Sequence, residues 1–347
     1  MTETRRLPLI TTSELKSFRS CKRQHHYSYR LGYRSIDKAG PLRFGTAIHN
    51  ALEVWWSPKT LCDLGAAIEA IDSNGEIDPF ERAKARAMMM NYHARWSGED
   101  YEILHVEKEF EAPLVNPNTG KPSNTYQLGG KIDVIIRKPN GDVFITEHKS
   151  AGVEVTFDTP YWKRLVLDTQ ISTYYVGGRA LGYDIKGCIY DVLRKPAIRP
   201  KEIPILDNDG MKMVVDREGV RVKTKDGKKW RETADSGQGY TLTTRPETPD
   251  EYEKRCIEVI MEEPDRYLVR GEVFRLEEDE LDAAQDMWDT ARELRESELN
   301  SRWPRNPDAC DKWGRFCSFW EVCTGVTGIE DETLYRRTKS KHEELSK

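Results

Sequence analysis

Asp133, Glu147 and Lys149 stand in the stretch GGKIDVIIRKPNGDVFITEHKS, residues 129–150, at a spacing that can gather two carboxylates and an ammonium in one place. Runs rich in β-branched residues, Ile132 to Arg137 and Asp142 to Thr146, flank Pro139-Asn140-Gly141, and Asn-Gly between such runs predicts a hairpin. Side chains alternate along a strand, so Glu147 and Lys149 share a face and the hairpin can set Asp133 beside them. Carboxylates hold hard divalent cations while leaving positions for water and phosphate, and a lysine can neutralise charge developing on phosphoryl oxygens. A solvated strand end would carry the same residue types, which are abundant on surfaces.

Three further groups could do chemistry. His49 falls in the first turn of a helix opened by FGTAIH, where it is a metal ligand only if the carboxylates lie near. Gln170 and Tyr174 stand at i and i+4 on a helix predicted over 161–181, hence on one face. Cys310, Cys317 and Cys323 form a tight C-x6-C-x5-C run, a soft-metal site one ligand short, whereas Cys62, Cys188 and Cys256 are isolated. If Cys21 supplies the fourth thiolate, the site clasps the two ends of the chain, an effect of at most about 5 kcal/mol in the chain-entropy view.

The elements that must position these groups follow from periodicity and punctuation. Thr11 with Glu14 begins a short helix, Pro79 to Trp96 reads as another, and Met88-Met89-Met90 reads as packing material. The segment after Cys21 interleaves Lys22, Arg23, Arg30 and Arg34 with Tyr27, Tyr29 and Tyr33, a pattern that suits either a phosphate backbone or an amphipathic helix. Residues 101–114 and 185–193 read as strands around the hairpin, giving an α/β core with mixed strand directions. Pro249 to Met261 and Glu278 to Glu296 read as helices with a strand, Tyr267 to Leu276, between them. The chain divides into a helical region, 1–100, a sheet core, 101–195, an inserted basic hairpin or arm, 196–248, C-terminal helices with the cysteines, 249–324, and a polar, frayed tail, 325–347. Arg221, Lys223, Lys225, Lys228, Lys229 and Arg231 make the arm basic enough to hold a DNA strand, although a solvated loop is the ordinary role of such a run.

The 347 residues can bury a large core, and 33% charged residues with a net charge of -5 exclude a protein coated in positive charge. Mean hydropathy is -0.73, and the absence of an apolar run of membrane length or a leader-like N-terminus predicts a cytoplasmic protein. Seven cysteines in such a protein argue for metal binding or burial over disulfides.

Taken in order, these motifs resemble the RecB-like branch of the PD-(D/E)XK nuclease superfamily, in particular the four-cysteine subgroup of AddB-type nuclease domains, CRISPR adaptation exonucleases and stand-alone phage or bacterial exonucleases. SELKSFRSCKRQHHYSYRLG is similar to that subgroup's first helix and first cysteine, FGTAIH to its G-x-x-x-H motif, GGKIDV to the segment ending at the metal-binding aspartate, EHK to E-x-K, and QISTY to Q-x-x-x-Y. The resemblance implies a restriction-endonuclease-like fold and an exonuclease acting on single-stranded or end-containing duplex DNA in recombination, repair or replication. Mg2+ or Mn2+ would be held by His49, Asp133, Glu147 and the main-chain carbonyl of His148, with Lys149, Gln170 and Tyr174 in catalysis. A structural [4Fe-4S] cluster would sit on Cys21, Cys310, Cys317 and Cys323. The chain carries no Walker loop, so the resemblance implies that it acts alone or with a separate helicase or recombination protein. The 196–248 insertion exceeds what the minimal core requires. A catalytically inactive DNA-binding scaffold and a metal-dependent RNA hydrolase are the alternatives.

Overall fold

The computed structural model describes residues 6–37, 40–312 and 314–345. A six-stranded mixed sheet is built from β1 (Leu9–Ile10), β2 (Glu102–Val115), β3 (Pro122–Arg137), β4 (Val143–Ala151), β5 (Ile185–Arg194) and β6 (Leu268–Val273). β2 and β4 run antiparallel to β3, β5 runs parallel to β4, and β6 closes the far edge antiparallel to β5. The predicted hairpin is present, with Arg137 opposite Val143 and Gly141 at φ +92°, the left-handed geometry glycine adopts without a Cβ penalty.

Helices cover both faces. On one side pack α1 (Thr12–Ser20), α5 (Thr169–Ala180) and α7 (Glu277–Leu299). On the other pack α2 (Gly40–Trp56), α3 (Leu64–Asp72), α4 (Pro79–Trp96) and α6 (Pro249–Glu262). The apolar period of α2 is what seats it: Ile48, Leu52 and Trp55 are buried and Trp55 meets Tyr92 of α4 edge-on at 5.0 Å. Each such large side chain contributes roughly 1.5–3 kcal/mol by leaving water. Asp78 caps α4 in a reciprocal box with Glu81, and Met88 and Met89 are fully buried packing residues, as their sequence context predicts.

Two details differ from the sequence reading and a third narrows it. The helix predicted over 161–181 is interrupted, because Asp168 leaves helical geometry (ψ 107°) and its carboxylate caps a fresh start at Thr169. The basic-aromatic segment after Cys21, for which the sequence left two roles open, is helical over Lys22–His25 and His26–Arg30 and half-buried, with His25 fully buried and Arg30 paired with Glu298 at 2.7 Å. The tail is not frayed within the described residues, since Tyr335–Arg337 pairs antiparallel with Tyr33–Ser35. Glu14 explains this folding back, because its buried carboxylate draws in His25 and Lys341, each at 3.0 Å.

Candidate active site

β3 meets two partners along one edge. Near its start it pairs with β1, Leu9 opposite Gln127 and Ile10 opposite Leu128, and near its end with β4, from Val134–Thr146 to Arg137–Val143. Between them β4 parts from β3 and continues against β5, so that Glu147 lies opposite Tyr190 and Lys149 opposite Val192. The parting opens a cleft of about 560 Å³ that His49, Glu107, Asp133, Glu147, Lys149, Gln170 and Tyr174 line together. Gly130 is required at its edge, because a Cβ there would stand 2.6 Å from the Phe110 ring.

The cleft side chains are held from several elements. Lys149 Nζ pairs with Glu147 Oε1, and the same oxygen accepts from Gln170 Nε2 at 2.9 Å. The Gln170 amide also donates to Tyr174 Oη at 2.9 Å, and its main-chain N–H is held by Asp168 Oδ1, itself paired with Lys16. Gly177 on the same helix would place a Cβ 2.6 Å from Phe110, so the glycine pair noted in the sequence lets α5 approach the sheet. His148 donates its main-chain N–H to Asp133 Oδ2 at 2.9 Å. Its side chain points to the opposite face, against Trp56 and 3.7 Å from Asp191. His148 therefore meets Asp133 through its main-chain N–H, and its Nδ1 lies 3.8 Å from the same Asp133 Oδ2.

His49 reaches the cleft from α2, with Nδ1 3.9 Å from Asp133 Oδ2. Sequence reasoning missed Glu107. It lies on β2 between Val106, opposite Val134, and Lys108, opposite Ile132, which sets it across from Asp133 on the same face. Its φ is +50°, an unusual backbone for a residue with a Cβ, and Lys131 pairs with it at 2.5 Å. The signal available in the sequence was an acid on the strand antiparallel to Asp133, but finding it requires the register. Ligand atoms of His49, Glu107 and Asp133 all lie within 4.8 Å of one another. Glu147 stands beside this trio with Oε1 engaged and Oε2 buried without a hydrogen-bond partner.

Burial dominates the electrostatics. It pushes the Asp133 carboxyl up to about 6, against the pull of Lys149 and the His148 N–H. Glu147 is pushed up to about 7 by burial and by Asp133, with Lys149 opposing. Burial and Lys149 lower His49. Burial also works against the Lys149 charge, but Glu147 and Asp133 outweigh it and raise the ammonium above its usual value. Two carboxyls that resist ionising together, an orphaned carboxylate oxygen and a neutral imidazole make a donor set that fits a hard divalent cation.

A second constellation joins the chain's ends. Cys21, Cys310, Cys317 and Cys323 line one small pocket with Tyr27 and Phe319. Asn306 Nδ2 donates to Ser20 O at 2.8 Å, Arg23 N–H to Pro304 O at 3.2 Å, and Cys317 N–H to Cys310 O at 2.7 Å, which fixes the backbones around the sulfurs. Burial raises the Cys317 thiol, and the other three sulfurs add to the effect. Burial raises the Cys323 thiol as well, and four sulfurs gathered in one pocket fit a soft, positively charged centre. Cys188 and Cys256 lie buried elsewhere.

The profile of one protein family, described as the PD-(D/E)XK nuclease superfamily, matches residues 10–324. The chain belongs to this superfamily. The mixed sheet flanked by helices is its restriction-endonuclease-like fold, and membership carries with it metal-dependent nuclease activity. Among solved structures, one titled "Crystal structure of SSO0001" matches at 13% identity and a TM-score of 0.26, over 76% of this chain and 80% of that one. No curated protein matches the chain. No helix among the described residues is long and apolar enough to cross a membrane.

Proposed function

We propose that this PD-(D/E)XK nuclease is a RecB-like DNA exonuclease that hydrolyses phosphodiester bonds in the cleft where β3 and β4 part. The convergence of His49, Glu107 and Asp133 beside the Glu147–Lys149 pair carries the reading. These residues, with Glu147 and the His148 carbonyl, would hold Mg2+ or Mn2+, which supplies charge to polarise the scissile phosphate and to acidify an attacking water. Lys149 stabilises the negative charge that grows on the phosphoryl oxygens as water adds and the ester oxygen leaves. Gln170 fixes the carboxylate of Glu147, and Tyr174 fixes Gln170, so that neither rotates out of the cleft. The four cysteines would hold a [4Fe-4S] cluster with a structural role, since phosphodiester hydrolysis moves no electrons. The enzyme would act in the cytoplasm in recombination, repair or replication, alongside a separate helicase or recombination protein.

End-labelled single- and double-stranded DNA and RNA, incubated with Mg2+ or Mn2+ with and without chelator, test the activity. Progressive shortening of DNA from an end, abolished by chelator, is the expected result. DNA binding without cleavage would identify a scaffold, and cleavage of RNA alone a ribonuclease.

A further inference from the structure

The inserted arm is rooted at the catalytic edge of the sheet. β5 runs parallel to β4 with Arg194 opposite Ala151, and Lys195 N–H donates to Ala151 O at 2.7 Å, two residues beyond Lys149. The chain departs there and returns to α6 through Glu247, which is buried, accepts from Lys201 N–H at 3.0 Å and pairs with Arg255 at 2.7 Å. Between these anchors the arm is a series of tight hairpins. One of them sets Lys223 opposite Trp230 and turns through Thr224 to Lys229, with Gly227 at φ +69°.

Charge is sorted along this arm. Between Arg221 and Arg231 stand six cations and one acid, in a chain whose net charge is -5. Both arginines are neutralised within the arm, Arg221 by Asp207 and Arg231 by Asp235 at 3.1 Å. The single acid, Asp226, is spent on the turn, bonded by Thr224 Oγ1 and by Lys228 N–H. Lys223, Lys225, Lys228 and Lys229 are exposed, and none forms an ion pair among the described residues. A solvated loop gains solubility from mixed charge, whereas four ammonium groups on one turn repel one another until a polyanion neutralises them.

We propose that this hairpin tip is a second nucleic-acid contact, gripping the phosphate backbone of DNA that extends beyond the catalytic cleft. The proposal rests on the nuclease reading for the identity of the polyanion. The tip reads charge and not sequence, and it lowers the KM for long substrates without touching the bond-breaking groups.

The test replaces Lys223, Lys225, Lys228 and Lys229 together by serine, and in a second variant by arginine. Cleavage is measured on fluorescein-labelled DNA of about 60 nucleotides and of about 6, the latter short enough to be held by the cleft alone. In the serine variant the KM for the long DNA should rise at least about tenfold, while kcat on the short DNA stays that of the parent. Four phosphate contacts correspond to a drop of roughly 3 in the slope of log affinity against log salt. The arginine variant should keep the parent slope. An unchanged slope, or an equal loss on both lengths, overturns the proposal. If the parent cuts neither DNA, the nuclease reading fails, and the salt slope of binding followed by fluorescence anisotropy still decides for or against the tip.

Discussion

The main-chain N–H of His148 donates to Asp133 Oδ2 at 2.9 Å across the gap where their strands separate. The residue between the acid and the lysine of E-x-K thus ties the two halves of the site through its backbone. Its side chain meanwhile anchors in a buried network on the other face, where Asp191 accepts from Tyr92 Oη and from Arg270, each at 2.7 Å. The division of labour separates groups whose loss should stop catalysis from groups whose loss should loosen the strand.

Lys149→Ala removes the cation that faces the developing phosphoryl charge, and groups of this kind are worth about 3–4 kcal/mol of barrier. Turnover should fall roughly a hundredfold or more, and Asp133→Ala should fall at least as far. Melting temperature should hold for Asp133→Asn, whose amide oxygen can still accept from the His148 N–H while the carboxyl that resists ionisation is gone. Steady-state cleavage of labelled DNA beside thermal melts checks both, and parental turnover in either alanine variant overturns the assignment.

Breaking the anchoring network should do the reverse. Asp191→Ala removes one of the two carboxylates paired with the buried guanidinium of Arg270, leaving Glu99. Losing a buried partner outright typically costs about 3–5 kcal/mol, so a loss of stability approaching that range is expected. Denaturant unfolding should show this loss, while the Asp133, Glu147 and Lys149 side chains remain in place. A variant as stable as the parent would contradict the network's role.

The carboxyl shifts set a pH window. Asp133 and Glu147 keep their protons up to about 6 and about 7 when folded without metal. Unfolded carboxyls release theirs near pH 4, so between about pH 4 and 7 the folded state binds more protons and stability falls as pH rises. A divalent cation replaces those protons and reverses the penalty. The rise in melting temperature on adding Mn2+ should therefore grow from pH 5 to pH 8. A metal-induced rise independent of pH would show that these carboxyls are not the ligands.

Glu107 offers a test in which fold and function move in opposite directions. Its φ of +50° costs an L residue about 1–2 kcal/mol, which glycine does not incur. Glu107→Gly should match or exceed the parent's stability without metal yet bind Mn2+ at least about tenfold more weakly by titration calorimetry. Parental Mn2+ affinity would remove Glu107 from the ligand set.

For the cysteine pocket the expected material is a brown protein when purified without oxygen, with iron and sulfide in equal amounts. Cys310→Ala should abolish the visible absorption. A colourless protein with stoichiometric zinc would exclude the cluster.

The hairpin was legible because Asn140-Gly141 fixes a turn between two β-branched runs, and turn chemistry is local. Lys149, Gln170 and Tyr174 were legible because strand and helix periods are local as well. Glu107 was not, since what places it is the register of two long strands and a positive φ that residue type does not announce. The break at Asp168 was hidden for a related reason: an aspartate can sit within a helix or cap one, and Lys16, distant in sequence, favours the cap. The ordering of the tail depends on Glu14, whose charge the sequence presents as an ordinary helix-start acid.

The pairing of Tyr335–Arg337 with Tyr33–Ser35, and the shared pocket of Cys21 with Cys310, Cys317 and Cys323, bear on the order of synthesis. Cys21 and the Glu14 carboxylate meet these partners only after residues 310–341, far along the chain, have been made. A nascent chain released before Cys310 keeps a buried-type glutamate and a lone thiol exposed, marks that chaperones and proteases can read. Closure of these distant segments is then a late step of folding, withholding the nuclease fold from chains cut short before Cys310.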